Sequence, residues 1–282
     1  MPELPEVETI KRGLKKVLIG RKIVSVKILD KKRFSGDVKE IIGQEIIGIQ
    51  RRAKLIIIKF ANNKHLVIHL KMTGQLIFKD KTRKIAGGHQ SDELFMDVPN
   101  KYTRIIFNLS QGGKLFYNDL IRYGLVKVLD SKTTQKMLNK EFGPEPFSKN
   151  FNKQYLKSIL DKSRKSNIKK ILMDQKKIAG LGNIYTNEAL FFAGIDPRKK
   201  AKDLKDTDIE KLYKGILKAL KLGIKHLGAS IRNYVDHNGK KGKMQEFFKV
   251  YNRAGQRCEC NEIIKKIQLG GRGTYYCPKC QK

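Results

Sequence analysis

The residues best suited to chemistry lie near the two ends of the 282-residue chain. Late in the sequence, Cys258-x-Cys260 is followed after 16 residues by Cys277-x2-Cys280, and the chain has no other cysteine. Four thiolates satisfy tetrahedral zinc, and ligand pairs on opposed turns let a short hairpin supply them. Between the pairs, Ile263–Gln268 and Thr274–Tyr276 read as strands joined by Leu269-Gly270-Gly271-Arg272-Gly273, with Arg272 at the tip. One structural zinc is the expected cofactor, because about 30 residues bury too little surface to fold alone. The C-x-C pair is tighter than C-x-x-C and needs a distorted knuckle. Disulfide pairing is the competing reading, disfavoured in a reducing cytosol. At the other end, Met1-Pro2-Glu3-Leu4-Pro5-Glu6 sets two prolines around an acid just before a helix. Taken alone, this reads as helix-start punctuation.

The elements that must position these groups change type along the chain. Pro5 to Ile19 is predicted as an amphipathic helix, with Val7, Ile10, Leu14 and Val17/Leu18 on one face and Gly20 as its stop. From Arg21 to Leu129 the signal is strands: Ile23–Leu29, Ile46–Ile49, Leu55–Phe60, Leu66–Leu70, Gln75–Phe78, Leu94–Asp97, Thr103–Leu109, Lys114–Asn118 and Leu125–Leu129. Short strands at this spacing predict an antiparallel sandwich or barrel. Ser131 to Asn152 reads as a linker carrying Gly143-Pro144-Glu145-Pro146. Helical stripes follow, and Thr207 with Glu210 reads as a capping box opening the last long helix. The expected class is α+β and multidomain: residues 1–130 a helix plus β-sandwich, 131–151 a linker, 152–243 a helical domain and 244–282 a zinc-bearing β-hairpin.

Lys and Arg number 61 against 27 Asp and Glu, a net charge of +34. Solubility needs only a few net charges. The field points to a polyanion, nucleic acid or anionic membrane, although part of the lysine excess can be compositional. Mean hydropathy is −0.48, and no apolar run is long enough to span a bilayer. The acidic N-terminus is no signal peptide, so the cytosol is the expected location and no membrane partner is expected.

Seven stretches, in order, resemble the formamidopyrimidine-DNA glycosylase family (Fpg, also called MutM). They are PELPEVET (Pro2–Thr9), QRRAK (Gln50–Lys54), HLKMTG (His69–Gly74), GPEP (Gly143–Pro146), ILMDQKKIAGLGNIYTNEALF (Ile171–Phe191), VYNRAGQRC (Val250–Cys258) and LGGRGTYYCPKCQ (Leu269–Gln281). The resemblance implies a bifunctional DNA glycosylase and abasic-site lyase that removes oxidised purines, 8-oxoguanine and formamidopyrimidines, from damaged double-stranded DNA. It also implies a catalytic β-sandwich, a helix–two-turn–helix DNA-binding domain and a zinc finger. Leu4 argues against the oxidised-pyrimidine branch, which has glycine there. A monomer is expected.

The chemistry requires a nucleophile at the sugar C1′, and an amine can attack there, expel the base and leave a cationic imine. A lysine near pKa ~10.4 is almost wholly protonated at neutral pH, whereas a chain-terminal amine near ~7.7–8 is partly neutral. The resemblance assigns this role to Pro2 once Met1 is removed. Glu3 is then the general acid–base, and Glu6 either positions the terminus or is a helix-dipole acid. Lys54 is either a solvated strand edge or, by resemblance, a group that reaches the lesion's phosphates. Lys169 resembles the family's lysine associated with the oxidised base, with Lys170 one register away. Asn183, Tyr185 and Arg272 fall in the phosphate-binding stretches. Met72 and Tyr123 match side chains that fill the gap left by a flipped base. In the Asp119-Leu120-Ile121-Arg122-Tyr123-Gly124 loop, the arginine that reads the orphaned cytosine is replaced by Ile121. Arg122 is its possible substitute. The segment Ser230 to Phe248 resembles the loop over the flipped base.

Overall fold

The computed structural model describes residues 1–88, 98–229 and 242–282. It divides into two compact units, residues 1–139 with 227–243 and residues 140–226 with 244–282. The expected strand at Leu94–Asp97 and most of Ser230–Phe248 lie outside the described residues.

The first unit opens with helix α1, Leu4–Leu18. Two five-stranded sheets follow. One has the order β1 (Ile23–Ile28), β8 (Thr103–Leu109), β9 (Lys114–Asp119), β6 (Gly74–Lys79) and β7 (Lys84–Gly88). The other has the order β2 (Phe34–Ser35), β10 (Leu125–Asp130), β5 (Lys64–His69), β4 (Leu55–Phe60) and β3 (Ile46–Arg52). Pairing is antiparallel except for the short β2–β10 contact. The inward residues of both sheets form one core, including Ile56, Ile58, Leu66 and Ile68 from one and Leu76, Phe78, Phe107 and Tyr117 from the other. The apolar face of α1 (Val7, Ile10, Leu14, Val17, Leu18) joins that core, and its edge position lets it seal the sandwich between β3 and β7. Glycine is required at 87, where a Cβ would sit 2.4 Å from Ile10 Cγ1. Two strands escape the sequence reading. β7 holds Gly87 and Gly88, which blur its alternation, and β2 is two residues long.

The expected linker from Ser131 begins with a helix, α2 (Ser131–Glu141). It buries only Thr134 and Leu138, so it shows almost no apolar period. Its start is fixed by Asp130, whose carboxylate accepts from the Thr133 N–H at 2.8 Å.

The second unit holds α3 (Lys153–Asp161), α4 (Ile168–Met173), α5 (Asn183–Ala193), α6 (Asp206–Lys225) and the hairpin β11 (Lys265–Leu269) and β12 (Arg272–Tyr276). Helices α5 and α6 pack closely because Gly215 lies against the Ala189 carbonyl and Gly223 against the Tyr185 ring. A Cβ at either glycine would approach within 2.6 Å. The start of α6 differs from the expected Thr207–Glu210 box. The helix begins at Asp206, and the Asp208 carboxylate accepts from the Lys205 N–H at 3.1 Å. Glu210 pairs instead with Lys153 and Lys214.

Candidate functional site

In the first unit, four candidate segments gather at one end of the sandwich. Leu55, His69 and Leu125 are cross-strand neighbours, as are Gly74 and Asp119. The β3–β4, β5–β6 and β9–β10 turns therefore share that edge. The first turns of α1 lie beside it, since Glu8 accepts from Arg51 Nε at 3.2 Å while also binding Lys11 and Arg12. These cations pull the Glu8 carboxyl below its ordinary range against the opposing effect of burial.

Glu3 is buried and caps α1, with Glu6 as its capping-box partner. Glu6 Oε2 accepts from the Glu3 N–H at 2.9 Å, and Oε1 accepts from the Ala229 N–H at 2.7 Å. Both carboxylate oxygens thus accept from backbone N–H groups. Pro2 is half-buried immediately before this cap.

Lys54 sits in a two-residue turn between Arg52 and Leu55, yet is only 5% exposed. That is not a solvated edge. Its ammonium, with Lys71, acts electrostatically on His69. Burial first and these two cations second push the His69 imidazole down to about 3. His69 is therefore neutral, and its Nδ1 accepts from the Lys71 N–H at 3.0 Å.

Three non-glycine residues at this edge adopt positive φ: Ala53 (52°), Lys71 (50°) and Arg122 (58°). Each adjoins a candidate site residue: Lys54, Met72, and Ile121 with Tyr123. Strain of this kind persists only where surroundings over-determine it. Asp119 supplies that determination for the 119–124 loop. Its carboxylate accepts from the Gly124 N–H at 2.7 Å, from the Tyr117 hydroxyl at 3.3 Å and from the Thr73 hydroxyl. Thr73 Oγ1 in turn accepts from the Ile121 N–H at 3.0 Å. One buried hydroxyl thus ties the Met72 turn to the Ile121 turn. Met72, Ile121 and Tyr123 themselves are exposed at 45%, 41% and 61%, large apolar groups held out on rigid supports. The Arg122 guanidinium lies 3.9 Å from the Asp30 carboxylate.

In the second unit, the α4–α5 connection is pinned by Gln175, which accepts from the Gly180 N–H and donates to the Leu181 carbonyl. Gly180 has φ of 84°. Gly143 packs on this connection, where a Cβ would meet the Lys177 carbonyl oxygen at 2.5 Å. Asn183, first in α5, donates to the Gly273 carbonyl at 3.1 Å. Lys169 is 2% exposed, and its ammonium donates to the Gly273 carbonyl and to Thr274 Oγ1 at 3.1 and 2.6 Å. Here the ammonium braces α4 to the hairpin. Tyr185 is fully buried, its ring filling the space over Gly223. Arg272 is exposed at the hairpin tip, where Gly270 and Gly271 both have positive φ. A cavity of about 390 Å³ beside it is lined by Lys169, Lys170, Lys177 and Arg272, with Asp174 as its acid.

Two residues missed in the sequence anchor the C-terminal segment, Asn187 at the hairpin and Glu188 at residues 249–251. Asn187 accepts from the Tyr275 N–H at 2.8 Å. The Glu188 carboxylate accepts from the N–H groups of Lys249, Val250 and Tyr251 at 2.8–3.0 Å. Burial raises the Glu188 carboxyl, and the three donors oppose that rise. Their sequence signal is an otherwise apolar helix that carries Thr186, Asn187 and Glu188 in succession, all buried.

Cys258, Cys260, Cys277 and Cys280 bring all four sulfurs within 4.8 Å of one another. Cys258–Cys280 and Cys260–Cys277 are separated by 3.8 and 3.5 Å. A tetrahedron with Zn–S of about 2.3 Å has edges of about 3.8 Å, so the four fit zinc. Asn261, at φ 66°, forms the tight knuckle that the C-x-C spacing demands. A hydrogen bond from the Glu262 backbone brings the Cys260 thiol down to about 7. Burial pushes the Cys258 and Cys280 thiols up, so their thiolates need a cation. No disulfide joins the four.

Residues 1–126 match the formamidopyrimidine-DNA glycosylase N-terminal domain, 142–235 the H2TH domain of the same enzymes and 255–282 the zinc finger found in FPG and IleRS. The chain belongs to the formamidopyrimidine-DNA glycosylase family. It is 39% identical to the formamidopyrimidine-DNA glycosylase of Pelotomaculum thermopropionicum, covering 100% of this chain and 99% of that protein. It is 38% identical to that of Streptococcus mutans, covering 100% of both. Among solved structures it resembles the Lactococcus lactis Fpg bound to DNA containing an abasic site, with a TM-score of 0.87 and 33% identity over 99% of each chain. The wild-type Lactococcus lactis enzyme bound to DNA containing N7-benzyl-Fapy-dG matches at the same score and identity over 100% of each chain. The sandwich, the helical region and the zinc-finger hairpin of this DNA-repair family are therefore those expected from the sequence. Among the described residues no helix is long and apolar enough to cross a membrane.

Proposed function

We propose that this chain excises oxidised purines, 8-oxoguanine and formamidopyrimidines, from duplex DNA and then cuts the strand at the resulting abasic site. After removal of Met1, the secondary amine of Pro2 attacks C1′ of the damaged nucleoside. The C1′–N bond breaks and the base leaves with a proton; the amine proton is lost as the C1′–O4′ bond opens, O4′ takes a proton from Glu3, and a cationic iminium joins Pro2 to C1′. The iminium acidifies the C2′–H. Loss of that proton expels the 3′-phosphate, and a second elimination expels the 5′-phosphate. Glu3 is the group that moves these protons, Glu6 orients the terminus, and Lys54 holds the lesion's phosphates.

The observation that carries this reading is the burial of both Glu3 and Lys54 at the sandwich edge beside the helix start that Pro2 precedes. Buried titratable groups gathered at one place are candidates for a functional site. Met72, Ile121 and Tyr123 fill the space left by the extruded base. Asn183 and Arg272 contact the phosphates, and Lys169 is the lysine associated with the oxidised base. We assign residues 1–130 as the catalytic domain, 131–151 as the connection, 152–243 as the helix–two-turn–helix domain and 244–282 as the zinc finger. The protein works as a cytosolic monomer on damaged double-stranded DNA. Borohydride reduction during turnover tests the chemistry: a chain beginning at Pro2 becomes covalently attached to lesion DNA, and a chain with an acetylated terminus does not. Equal adducts from both would refute it.

A further inference from the structure

Glu6 reaches beyond its own helix. Its Oε2 accepts from the Glu3 N–H, and its Oε1 from the Ala229 N–H, 223 positions away in sequence. Residues 227–229 are shaped for that contact. Leu227 and Gly228 take φ of 60° and 82° in succession, which turns the Ala229 N–H onto the carboxylate. The fit leaves no room. A Cβ on Gly228 would lie 2.9 Å from Glu6 Cγ, 2.9 Å from Oε1 and 3.1 Å from its Cα. The first two atoms can move only by giving up the carboxylate's present position, and the third is helix backbone.

The other end of this link is the Glu3 N–H, the nitrogen of the peptide bond to Pro2. Peptide planarity means that aiming this N–H also aims the Pro2 carbonyl and Cα. We propose that the Gly228–Ala229 turn is a positioning element for the Pro2 nucleophile, acting through the Glu6 carboxylate. Position 228 accepts glycine alone for this reason. The inference rests on the reading of Pro2 as the nucleophile. Attack geometry is sensitive to displacements of about 1 Å, which can cost roughly 100-fold in rate.

The test uses the full zinc-loaded chain beginning at Pro2 and duplex DNA carrying 8-oxoguanine. Gly228→Ala should lower the single-turnover rate of adduct formation roughly 10- to 100-fold. Affinity for a duplex bearing a stable abasic analogue should stay within about twofold, because the phosphate contacts remain, and the pH midpoint of trapping should not move. Glu6→Asp keeps the charge but is one methylene too short to bridge both N–H groups, so it should show the same loss; it serves if Gly228→Ala folds poorly. In a Glu6→Ala background, adding Gly228→Ala should cost less than about twofold more, since the shared link is already cut. Wild-type trapping rates in Gly228→Ala or Glu6→Asp would overturn the inference, as would full additivity in the cycle. Absence of any adduct from the unmodified protein would instead overturn the Pro2 reading beneath it.

Discussion

Thr73→Val is the substitution with the most legible consequence, because one buried hydroxyl serves two loops. The change keeps the side-chain volume but removes the donor to the Asp119 carboxylate and the acceptor for the Ile121 N–H. A hydrogen bond to a charged group contributes about 1.5–3 kcal/mol, and one between neutral groups about 1 kcal/mol. The loss should therefore be about 3 kcal/mol. For a unit of this size, each kcal/mol shifts the melting temperature by about 2–4 °C. Scanning calorimetry should show the first unit melting about 6–12 °C lower. Met72, Ile121 and Tyr123 should lose their fixed orientation, so excision opposite a mispositioned base should slow by about tenfold or more. A melting shift below about 2 °C with an unchanged excision rate would show that the Thr73–Asp119 pair does not couple the loops.

The Ile121 side chain has no hydrogen-bond donor, and the Arg122 guanidinium lies 3.9 Å from Asp30, so preference for cytosine opposite the lesion should be weak. Ile121→Arg should restore about 1–3 kcal/mol of discrimination in excision rates measured opposite all four bases; strong cytosine preference surviving Arg122→Ala in the native background would refute this. Because His69 titrates near 3 when folded and near ~6.5 when unfolded, the unfolded chain binds the extra proton between those values. Stability should thus be complete above pH ~6.5 and fall by about 1.4 kcal/mol per unit as pH drops toward 4. His69→Gln should flatten that slope in urea titrations. Zinc removal should release one ion per chain by native mass and weaken DNA binding, and Cys260→Ser should reproduce it. If six to ten phosphates are neutralised, log affinity should fall with log salt at a slope of about −5 to −9.

Legibility followed the range of the interactions involved. The four cysteines and the α1 stripe are local patterns, and both led directly to the observed elements. β7 was invisible because its Gly87 and Gly88 answer to α1 and to neighbouring strands rather than to their own alternation. The burial of Tyr185 depends on Gly223, and the bracing role of Lys169 on Thr274 a hundred residues later. Glu6 showed its acid but not its second partner, since nothing near Ala229 marks an N–H aimed at a helix start.

The most direct measurement is peptide mapping by mass spectrometry of the borohydride-reduced protein–DNA adduct. The deoxyribose remnant should sit on the nitrogen of Pro2, in a peptide lacking Met1. Attachment to Lys54, to Lys169 or to any other amine would contradict the account at its centre.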